Sequence, residues 1–507
     1  MRASGILMHI TSLPGPWGVG TMGKQAYAFV DFLKKAGQRK WQILPLTPTG
    51  YGDSPYQSCS TFAGNSYMID LEMLIQQGLL EKAEVDAITW SHSEDRVDFG
   101  LLYENRRKVL YLAYGRFQDQ AELDSFCREN SSWLPDFALF QALKDANEGK
   151  PWHQWEKKLK YRDPDTLWQA RRELKENIRF YCFVQYLFYK QWEALRAYAH
   201  TSGVEIIGDV PIYVPLDSVD VWSDPDLFYL DENLDPIAVA GCPPDAFTED
   251  GQLWGNPLYR WDVHRRDGYS WWLRRMAAAA KRYDLIRIDH FRAFESYWAV
   301  PYGHPTARCG KWVKGPDLEF IETLRRELPD VKLIAEDLGF ITPAVRALRD
   351  ASGFPGMKVL QFAFDSEEPS DYLPHNCIAN AVCYTGTHDN MTLRQWLQTI
   401  PEKTRDYAQR YMCLTEEEGY CWGAIRTAMA SVCELCMVQM QDYLELGSEA
   451  RMNFPGTNSG DNWTWRAKEG FMTDALAEKI HSLTKLYGRL CAKDDISLRM
   501  ENESYEL

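Results

Sequence analysis

The sequence of 507 residues has no long apolar run. No segment reaches the roughly 18 uninterrupted apolar residues that a membrane span needs. The N-terminal stretch MRASGILMHITSLPGPWG contains an apolar run that is too short for a signal sequence, and Pro and Gly interrupt it. We therefore expect a cytoplasmic protein that has no membrane partner.

Basic residues are too few to balance the acidic ones, and the net charge is −16 at pH 7. Such a charge argues against nucleic acid or an anionic membrane surface as a partner. It also fits poorly with an acidic substrate, so it favours neutral or cationic small molecules as ligands. A composition of 45% hydrophobic and 25% charged residues is typical of a globular protein.

The twelve cysteines lack the spacing of a disulfide framework. The close pair Cys433 and Cys436 has neither a second pair nor a histidine nearby, which argues against a zinc site. Reduced thiols in the cytosol are the better interpretation. No G-x-G-x-x-G follows the first predicted strand, so a dinucleotide site is not indicated. We expect neither a metal nor a cofactor.

Aromatic residues, by contrast, are abundant, with 19 Trp and 27 Tyr. Most of them are expected to pack in the core. Several lie in segments rich in Gly, Pro and Asp, namely Trp17, Tyr51, Tyr56, Trp254, Trp463 and Trp465. Loop aromatics of this kind are also suited to stacking on the flat apolar faces of sugar rings.

Short runs rich in Val, Ile and Leu alternate with longer amphipathic stretches. The predicted strands are 5–10, 41–46, 204–210, 284–289, 331–337, 357–364, 380–386 and 436–442. Predicted helices between them include 23–37, 269–283, 317–328, 342–352 and 420–435. This alternation predicts an α/β fold, and eight units favour a closed (β/α)8 TIM barrel. An open doubly wound sheet is the alternative.

We predict that residues 1–490 form a single (β/α)8 barrel with inserted, largely helical subdomains between its strands. The interval between the second and third strands is far longer than a crossover needs, which predicts a helical insertion over 47–200. A second insertion, over 211–268, is rich in Pro, Asp, Gly and Trp and should be an elaborated loop region. Residues 491–507 have the composition of a polar C-terminal tail.

Carboxylates recur at the ends of the predicted strands. The set comprises Asp209, Asp289, Glu336 with Asp337, Asp389 after His388, and Asp442. A single such Asp is commonly a turn residue, but the C-terminal strand ends of a barrel converge on one face, where chemistry is done. Clustered carboxylates suit either metal binding or glycosyl transfer. The first strand ends in a lone His9, yet His290 and His388 keep a metal site as an alternative.

The surroundings of two of these acids favour glycosyl transfer. Arg287 precedes Asp289 by two residues, so in a strand both side chains should share a face. A guanidinium there would lower the carboxyl pKa and keep Asp289 ionised, as a nucleophile requires. Glu336 follows the apolar run Leu333–Ala335, where burial would raise its pKa, as a general acid requires.

Six long motifs then connect the chain to a known family: SPYQ (54–57), GDVPIYVPLDSVDVW (208–222), GCPPDAFTEDGQLWGNPLY (241–259), IRIDHFRAF (286–294), IAEDLG (334–339) and TGTHDN (385–390). With these motifs the chain closely resembles the 4-α-glucanotransferases known as amylomaltase or disproportionating enzyme, glycoside hydrolase family 77. The resemblance extends over about nine tenths of the chain, to ARMNFPGTNSGDNWTWR (450–466).

The resemblance implies a retaining transfer of a 1,4-α-glucan segment to the 4-hydroxyl of glucose or another glucan. Asp289 would form the covalent β-glycosyl-enzyme, Glu336 would be the general acid and base, and Asp389 would stabilise the transition state. Maltooligosaccharides and other 1,4-α-glucans would be donor and acceptor, with residues 241–259 as a substrate lid. The implied substrate-binding residues are Tyr56, Asp209, Asp245, Trp254, Arg287, His290 and His388.

Three alternatives stay open at this point. They are an α-amylase-like hydrolase on the same fold, a non-catalytic glucan-binding protein on an inactive barrel, and a metal-dependent hydrolase. A retaining mechanism requires the carboxyls of Asp289 and Glu336 to lie roughly 5–5.5 Å apart, whereas a separation near 9 Å would indicate inversion. The sequence favours neither a monomer nor a homo-oligomer.

Overall fold

The structure is a computed structural model that describes residues 2–50, 52–244, 249–364, 370–457 and 460–490. Three features singled out in the sequence lie outside the described residues: Tyr51, Asp245 and the tail 491–507. Within the described part of the chain, no helix combines the length and apolar character needed to cross a membrane.

Eight strands of the described ranges form a closed barrel in which every neighbouring pair is parallel. The twelve described strands are β1 (Ala3–Leu7), β2 (Lys40–Gln42), β3 (Glu205–Val210), β4 (Ala238–Cys242), β5 (Gln252–Pro257), β6 (Leu285–Ile288), β7 (Ser296–Pro301), β8 (Lys311–Lys314), β9 (Leu333–Ala335), β10 (Gly356–Val359), β11 (Ala381–Tyr384) and β12 (Leu435–Gln439). The barrel order is β1-β12-β11-β10-β9-β6-β3-β2. The predicted (β/α)8 fold is therefore confirmed, and the open sheet is excluded.

The helices of the described ranges are α1 (Lys24–Lys35), α2 (Leu71–Gln76), α3 (Lys82–Asp86), α4 (Phe99–Arg116), α5 (Gln120–Glu129), α6 (Leu134–Ala146), α7 (Lys157–Lys160), α8 (Pro164–Glu173), α9 (Lys175–Thr201), α10 (Val219–Ser223), α11 (Trp261–Arg266), α12 (Ser270–Arg282), α13 (Asp317–Glu327), α14 (Pro343–Ser352), α15 (Leu393–Thr399), α16 (Glu402–Met412), α17 (Tyr420–Ala430), α18 (Met440–Tyr443) and α19 (Asp474–Leu486). Helices α2 to α9 all lie in the interval between β2 and β3.

Alternating side chains fill the barrel and its outer layer. The barrel interior holds Ile207, Ile334, Met357, Val359, Val382, Tyr384, Leu435 and Met437. Residues between them in sequence, such as Cys383 and Cys436, belong to the larger core outside the barrel. This period of two explains why the strands appear in the sequence as continuous apolar runs, buried on both faces. The interior is packed, so a ligand site must lie at an end of the barrel.

β2 is shorter than predicted because side chains take over backbone hydrogen bonds in the segment that follows it. β2 ends at Gln42, and the next free amide, that of Leu44, donates to Nδ1 of His9 at 3.2 Å. The amide of Leu46 donates to the hydroxyl of Tyr283 at 3.4 Å. The apolar run there continues into buried loop rather than strand.

Two buried glutamines fasten the long helix α9 to the segment that follows β2. Gln185 accepts from the amide of Gly64 at 2.7 Å and donates to the carbonyl of Gly64 at 3.0 Å. Gln191 makes the same two-way contact with Asp70, at 2.7 and 3.1 Å. Each side chain thus satisfies both backbone groups of one buried residue.

A second sheet, which the sequence patterns did not predict, stands beside the barrel mouth. It is antiparallel, with the order β5-β4-β7-β8. β4 and β5 come from the excursion between β3 and β6, whereas β7 and β8 come from the excursion between β6 and β9. Its strands carry Trp254 on β5 and Trp312 on β8 towards the cleft described below.

Candidate active site

The end of β6 brings Arg287 and Asp289 together on one side of the strand. Nη1 of Arg287 lies 3.0 Å from Oδ1 of Asp289, so the predicted shared face is confirmed. The same nitrogen donates to both carboxylate oxygens of Asp209, at 2.9 and 2.7 Å. Asp209 and Arg287 are both buried. The pair therefore forms a rigid base from which Asp289 projects.

Glu336, at the end of β9, is fastened to the peptide that follows Asp289. The amide of His290 donates to Oε2 of Glu336 at 2.6 Å, and the amide of Leu338 donates to Oε1 at 2.8 Å. His290 has the left-handed backbone angles φ 51° and ψ 47°, unusual for a residue with a Cβ. This turn directs the His290 amide at the carboxylate. The two acids consequently stand on adjacent strand ends in a fixed relation.

Asp389 approaches from the loop after β11 and is held by residues of the segment 451–453. Nδ2 of Asn453 donates to Oδ1 of Asp389 at 2.6 Å, and Arg451 donates to the Asp389 carbonyl at 2.9 Å. The Asp389 side chain remains 43% exposed. Its free oxygen is thus available to a ligand.

Tyr56 and His388 form an aromatic surface next to these acids. Their rings stack with centroids 5.0 Å apart, and Trp463 lies against both. The Tyr56 hydroxyl donates to Oδ2 of Asp209 at 2.8 Å, which ties this surface to Arg287. On the other side, the ring of Trp254 meets His290 edge-on at 4.8 Å.

The expectation that the pKa of Asp289 is lowered is wrong, because the net shift is upward. Burial raises the pKa of Asp289 to about 8, and the Arg287 guanidinium opposes this rise without overcoming it. The nearby carboxylates of Glu336, Asp209 and Asp389 raise the pKa further. The expectation considered only the adjacent cation, whereas burial and the three converging carboxylates determine the net direction of the shift.

Burial also raises the pKa of Glu336, as expected from its apolar strand, although Arg287 and the two amides that it accepts act in the opposite direction. Because both carboxyl pKa values are raised and ionisation of Glu336 disfavours ionisation of Asp289, the pair retains a proton near neutral pH. Burial, helped by Arg292, lowers the pKa of His290 to about 3, and burial lowers that of His388. Both imidazoles are therefore neutral.

Two of the strand-end acids do not join the site, contrary to expectation. Asp337 pairs with Arg349 at 2.7 Å and accepts the amide of Met357 at 2.7 Å. Asp442 is fully buried, accepts from the hydroxyl of Thr385 and the amide of Leu393, and has its pKa raised to about 7 by burial. Both acids anchor loops.

Three contributors to the site were not singled out from the sequence. Arg451 and Asn453 act on Asp389, and Arg292 supports the cleft wall. The family motif that contains residues 451–453 was the available signal for the first two. The position of Arg292 depends on contacts with residues distant in sequence.

All the described residues predicted for the site lie in or directly under one cleft at the barrel mouth. Its volume of about 2630 Å³ exceeds the roughly 300–1,000 Å³ typical of a small-molecule pocket, so an extended ligand fits better than a single small one. Asp289, Glu336 and Asp389 line it, and Asp209 lies beneath in the floor. Among the described residues, no group of three or more His, Cys, Asp or Glu is arranged to hold a metal ion.

A (β/α)8 barrel whose mouth carries a coupled carboxyl pair, a third acid and aromatic platforms has the equipment of an enzyme that acts on carbohydrate. The profile of the 4-alpha-glucanotransferase family matches residues 8–473. The chain therefore belongs to the 4-alpha-glucanotransferase family, a class of glycosyltransferase.

Similar proteins match this chain over nearly its whole length. A 4-alpha-glucanotransferase of Clostridium butyricum is 47% identical over 486 residues, which is 95% of this chain and 100% of the relative. One of Thermus thermophilus is 47% identical over 502 residues, or 96% and 99% of the two chains. The solved amylomaltase of Streptococcus agalactiae, in complex with acarbose, is 42% identical and superposes with a TM-score of 0.95, covering 97% of this chain and 100% of its own.

Proposed function

We propose that the protein transfers 1,4-α-glucan segments by a retaining double displacement at Asp289. The observation that carries this proposal is the hydrogen bond from the His290 amide to Glu336. Because His290 directly follows Asp289, this bond holds a second carboxyl close to Asp289. Adjacent carboxyls on the floor of one cleft suit a nucleophile and an acid/base on the same glycosidic bond.

In the first step, Asp289 attacks the anomeric carbon while Glu336 gives its proton to the glycosidic oxygen. The carbon–oxygen bond breaks, the leaving glucan departs with a free 4-hydroxyl, and a β-glycosyl-enzyme remains. In the second step the 4-hydroxyl of an acceptor attacks the same carbon, and its proton passes to the Glu336 carboxylate. Each step inverts the anomeric centre, so the product retains the α-configuration.

The raised pKa values place a proton on the pair near neutral pH, and the reactive form is the tautomer in which Glu336 carries that proton and Asp289 is the anion. Arg287 contacts the Asp289 carboxylate directly and stabilises its anion, whereas the hydrogen bonds that Glu336 accepts from the described residues come from two backbone amides. The proton is therefore where the leaving oxygen needs it, and the negative charge is where the anomeric carbon needs it.

The remaining residues hold the reacting glucose. Asp389, oriented by Asn453, would bind its hydroxyls and oppose the positive charge that develops in the transition state. Neutral His290 and His388 can donate or accept hydrogen bonds, and Tyr56 and Trp254 offer ring faces. Asp209 acts from below by holding Arg287. We also propose residues 241–259, including Asp245, as the lid that favours a sugar over water as acceptor.

Maltooligosaccharides and other 1,4-α-glucans are the proposed donors and acceptors. The solved relative with acarbose supports an oligosaccharide ligand, and the size of the cleft agrees with it. An α-amylase-like hydrolase is the competing function, and the products distinguish the two. Maltotriose should yield glucose and longer oligomers, with reducing ends constant over time. Steadily rising reducing ends would instead show hydrolysis.

Two variants test the assigned roles. Asp289→Asn should lose at least about a thousandfold in the rate of glucose release from maltotriose, because the nucleophile is gone. Glu336→Gln, given α-maltotriosyl fluoride, whose leaving group needs little protonation, should accumulate a glycosyl-enzyme visible by intact-protein mass spectrometry. Near wild-type release by Asp289→Asn, or adduct mapped to a residue other than Asp289, would overturn the assignment.

A further inference from the structure

We propose that Trp312, held by Arg292, is the platform on which the acceptor sugar stacks, an inference that rests on the proposed function. Trp312 lies on β8, in the antiparallel sheet that forms one wall of the cleft, and 38% of its surface is exposed there. Neither the family motifs nor the acids at the strand ends indicate this residue.

The ring of Trp312 has a built support. The guanidinium carbon of Arg292 lies 3.8 Å from the ring centroid on one face. Arg292 itself is buried and is fixed by bonds to the carbonyl of Phe340 at 2.6 Å and the hydroxyl of Ser296 at 3.1 Å. Trp298, the register partner of Trp312 on β7, packs against its edge at 5.1 Å. One indole face is thus occupied, and the ring is held in place.

The same support connects the platform to the reacting groups. Arg292 follows Asp289 by three residues in the 3-10 turn Phe291–Phe294, and its partner Phe340 follows Glu336 by four. A change in either catalytic loop therefore reaches Trp312 through one buried side chain. Two other exposed apolar side chains continue the wall on this side of the cleft, namely Leu253 at 40% and Phe340 at 69%.

The position of Trp312 relative to Glu336 indicates that it contacts the acceptor sugar rather than the donor. Asp389, Tyr56 and His388 surround the flank where the reacting glucose would be held. Glu336 gives its proton to the oxygen of the departing sugar, so that sugar lies along the loop after β9, which carries Phe340. The acceptor enters where the leaving sugar departed, because the second step is the reverse of the first. A flat, rigid indole there would stack on the apolar face of a glucose ring.

The test separates donor from acceptor chemistry by using α-maltotriosyl fluoride, whose leaving group has no sugar on the acceptor side. Fluoride released in the first turnover, before any acceptor attacks the glycosyl-enzyme, reports donor handling, and transfer products with increasing glucose report acceptor binding. Trp312→Ala should leave this first-turnover fluoride release within about twofold of wild type. It should raise the glucose concentration needed for half-maximal transfer about tenfold, and increase the hydrolysed fraction.

Matched variants keep the result interpretable. Trp312→Phe retains a ring and should recover most of the acceptor affinity, whereas loss of packing alone would leave donor and acceptor steps equally impaired. Trp168→Ala removes a tryptophan that also stacks on an arginine, Arg172 at 4.6 Å, but lies on α8 and does not line the cleft. It should behave as wild type.

Arg292→Lys tests the support, since lysine lacks the planar fork that contacts both Phe340 and the indole. It should raise the acceptor requirement while changing fluoride release less. An unchanged acceptor requirement in Trp312→Ala would overturn the inference and leave the proposed function intact. Failure of the wild-type protein to release fluoride would instead overturn the proposed function.

Discussion

Asn453 is the side chain that determines where the free oxygen of Asp389 points, because its amide holds the other oxygen at 2.6 Å. Asn453→Ala should release this carboxylate and lower the initial rate on maltotriose about 10- to 100-fold, since a hydrogen bond to a charged group contributes roughly 1.5–3 kcal/mol. The melting temperature should change little, as Asp389 is half exposed.

Asn380→Ala is the control for Asn453→Ala. Asn380 is an exposed residue whose side-chain amide likewise donates one hydrogen bond, to the carbonyl of Gly353, and it does not line the cleft. Equal losses of activity in the two variants would contradict a specific role for Asn453.

Burial of the Asp289 carboxyl should cost the protein stability at neutral and alkaline pH. Its pKa is raised to about 8 in the folded protein, against about 3.9 in an unfolded chain. Between these values the folded state binds more protons than the unfolded state, so its contribution to the free energy of unfolding falls as pH rises from about 4 to 8. Asp289→Asn removes this cost.

The melting temperature of Asp289→Asn should therefore exceed that of the wild type by more at pH 8 than at pH 5, as measured by calorimetry. Asp442→Asn is a second carboxyl variant with the same sign, because the pKa of Asp442 is raised to about 7. A difference between Asp289→Asn and wild type that is constant across this pH range would contradict the raised pKa of Asp289.

At the scale of elements, α9 depends on its buried glutamines for its attachment to the segment after β2. Gln185→Leu keeps the volume but leaves the amide and carbonyl of Gly64 without their partner. Each orphaned buried group costs roughly 1–3 kcal/mol, so the loss of two partners should lower the free energy of unfolding by about 2–6 kcal/mol in chemical denaturation. Gln169→Leu, on the exposed face of α8, should fall by less than about 0.5 kcal/mol.

The barrel strands were predictable because each lies in or overlaps a short run rich in Val, Ile and Leu, and such runs end in Gly, Pro, Asp or His. The strands of the second sheet were not, because segments such as KWVK (311–314) are short, charged and half exposed. The strand ends also predicted the positions of acidic residues, but not which way their side chains point. Asp289 faces the cleft while Asp442 anchors a loop, and only long-range partners such as Thr385 and Leu393 decide between them.

At the scale of the whole molecule, hydrogen bonds at the barrel end opposite the cleft help to join the first and last strands of the barrel. Arg489, fully buried, donates to the carbonyls of Ala3 at 2.9 Å, Met429 at 2.9 Å and Ser431 at 3.0 Å, where β1 meets β12. Arg2 also donates to the carbonyls of Met429 and Ser431. Arg489→Met therefore removes one of two donors from each of these carbonyls, together with the Arg489 bond to Ala3, and should lower the free energy of unfolding by about 1–3 kcal/mol.

Activity per folded molecule should stay unchanged in Arg489→Met when it is assayed well below the melting temperature, because the cleft is at the other end of the strands. Arg489→Lys keeps the charge without the fork and should be intermediate in stability. A change in KM for maltotriose without a loss of stability would contradict this division between the two ends.

The four-stranded sheet also determines how this protein can be recombined with its relatives. Two adjacent strands come from the chain between β3 and β6 and the other two from the chain between β6 and β9, and β4 pairs directly with β7 across the boundary. A graft of only one of these segments would bring a foreign strand against a native one at that pairing. Chimeras that exchange both segments together should fold, because the two segments build this part of the cleft wall jointly.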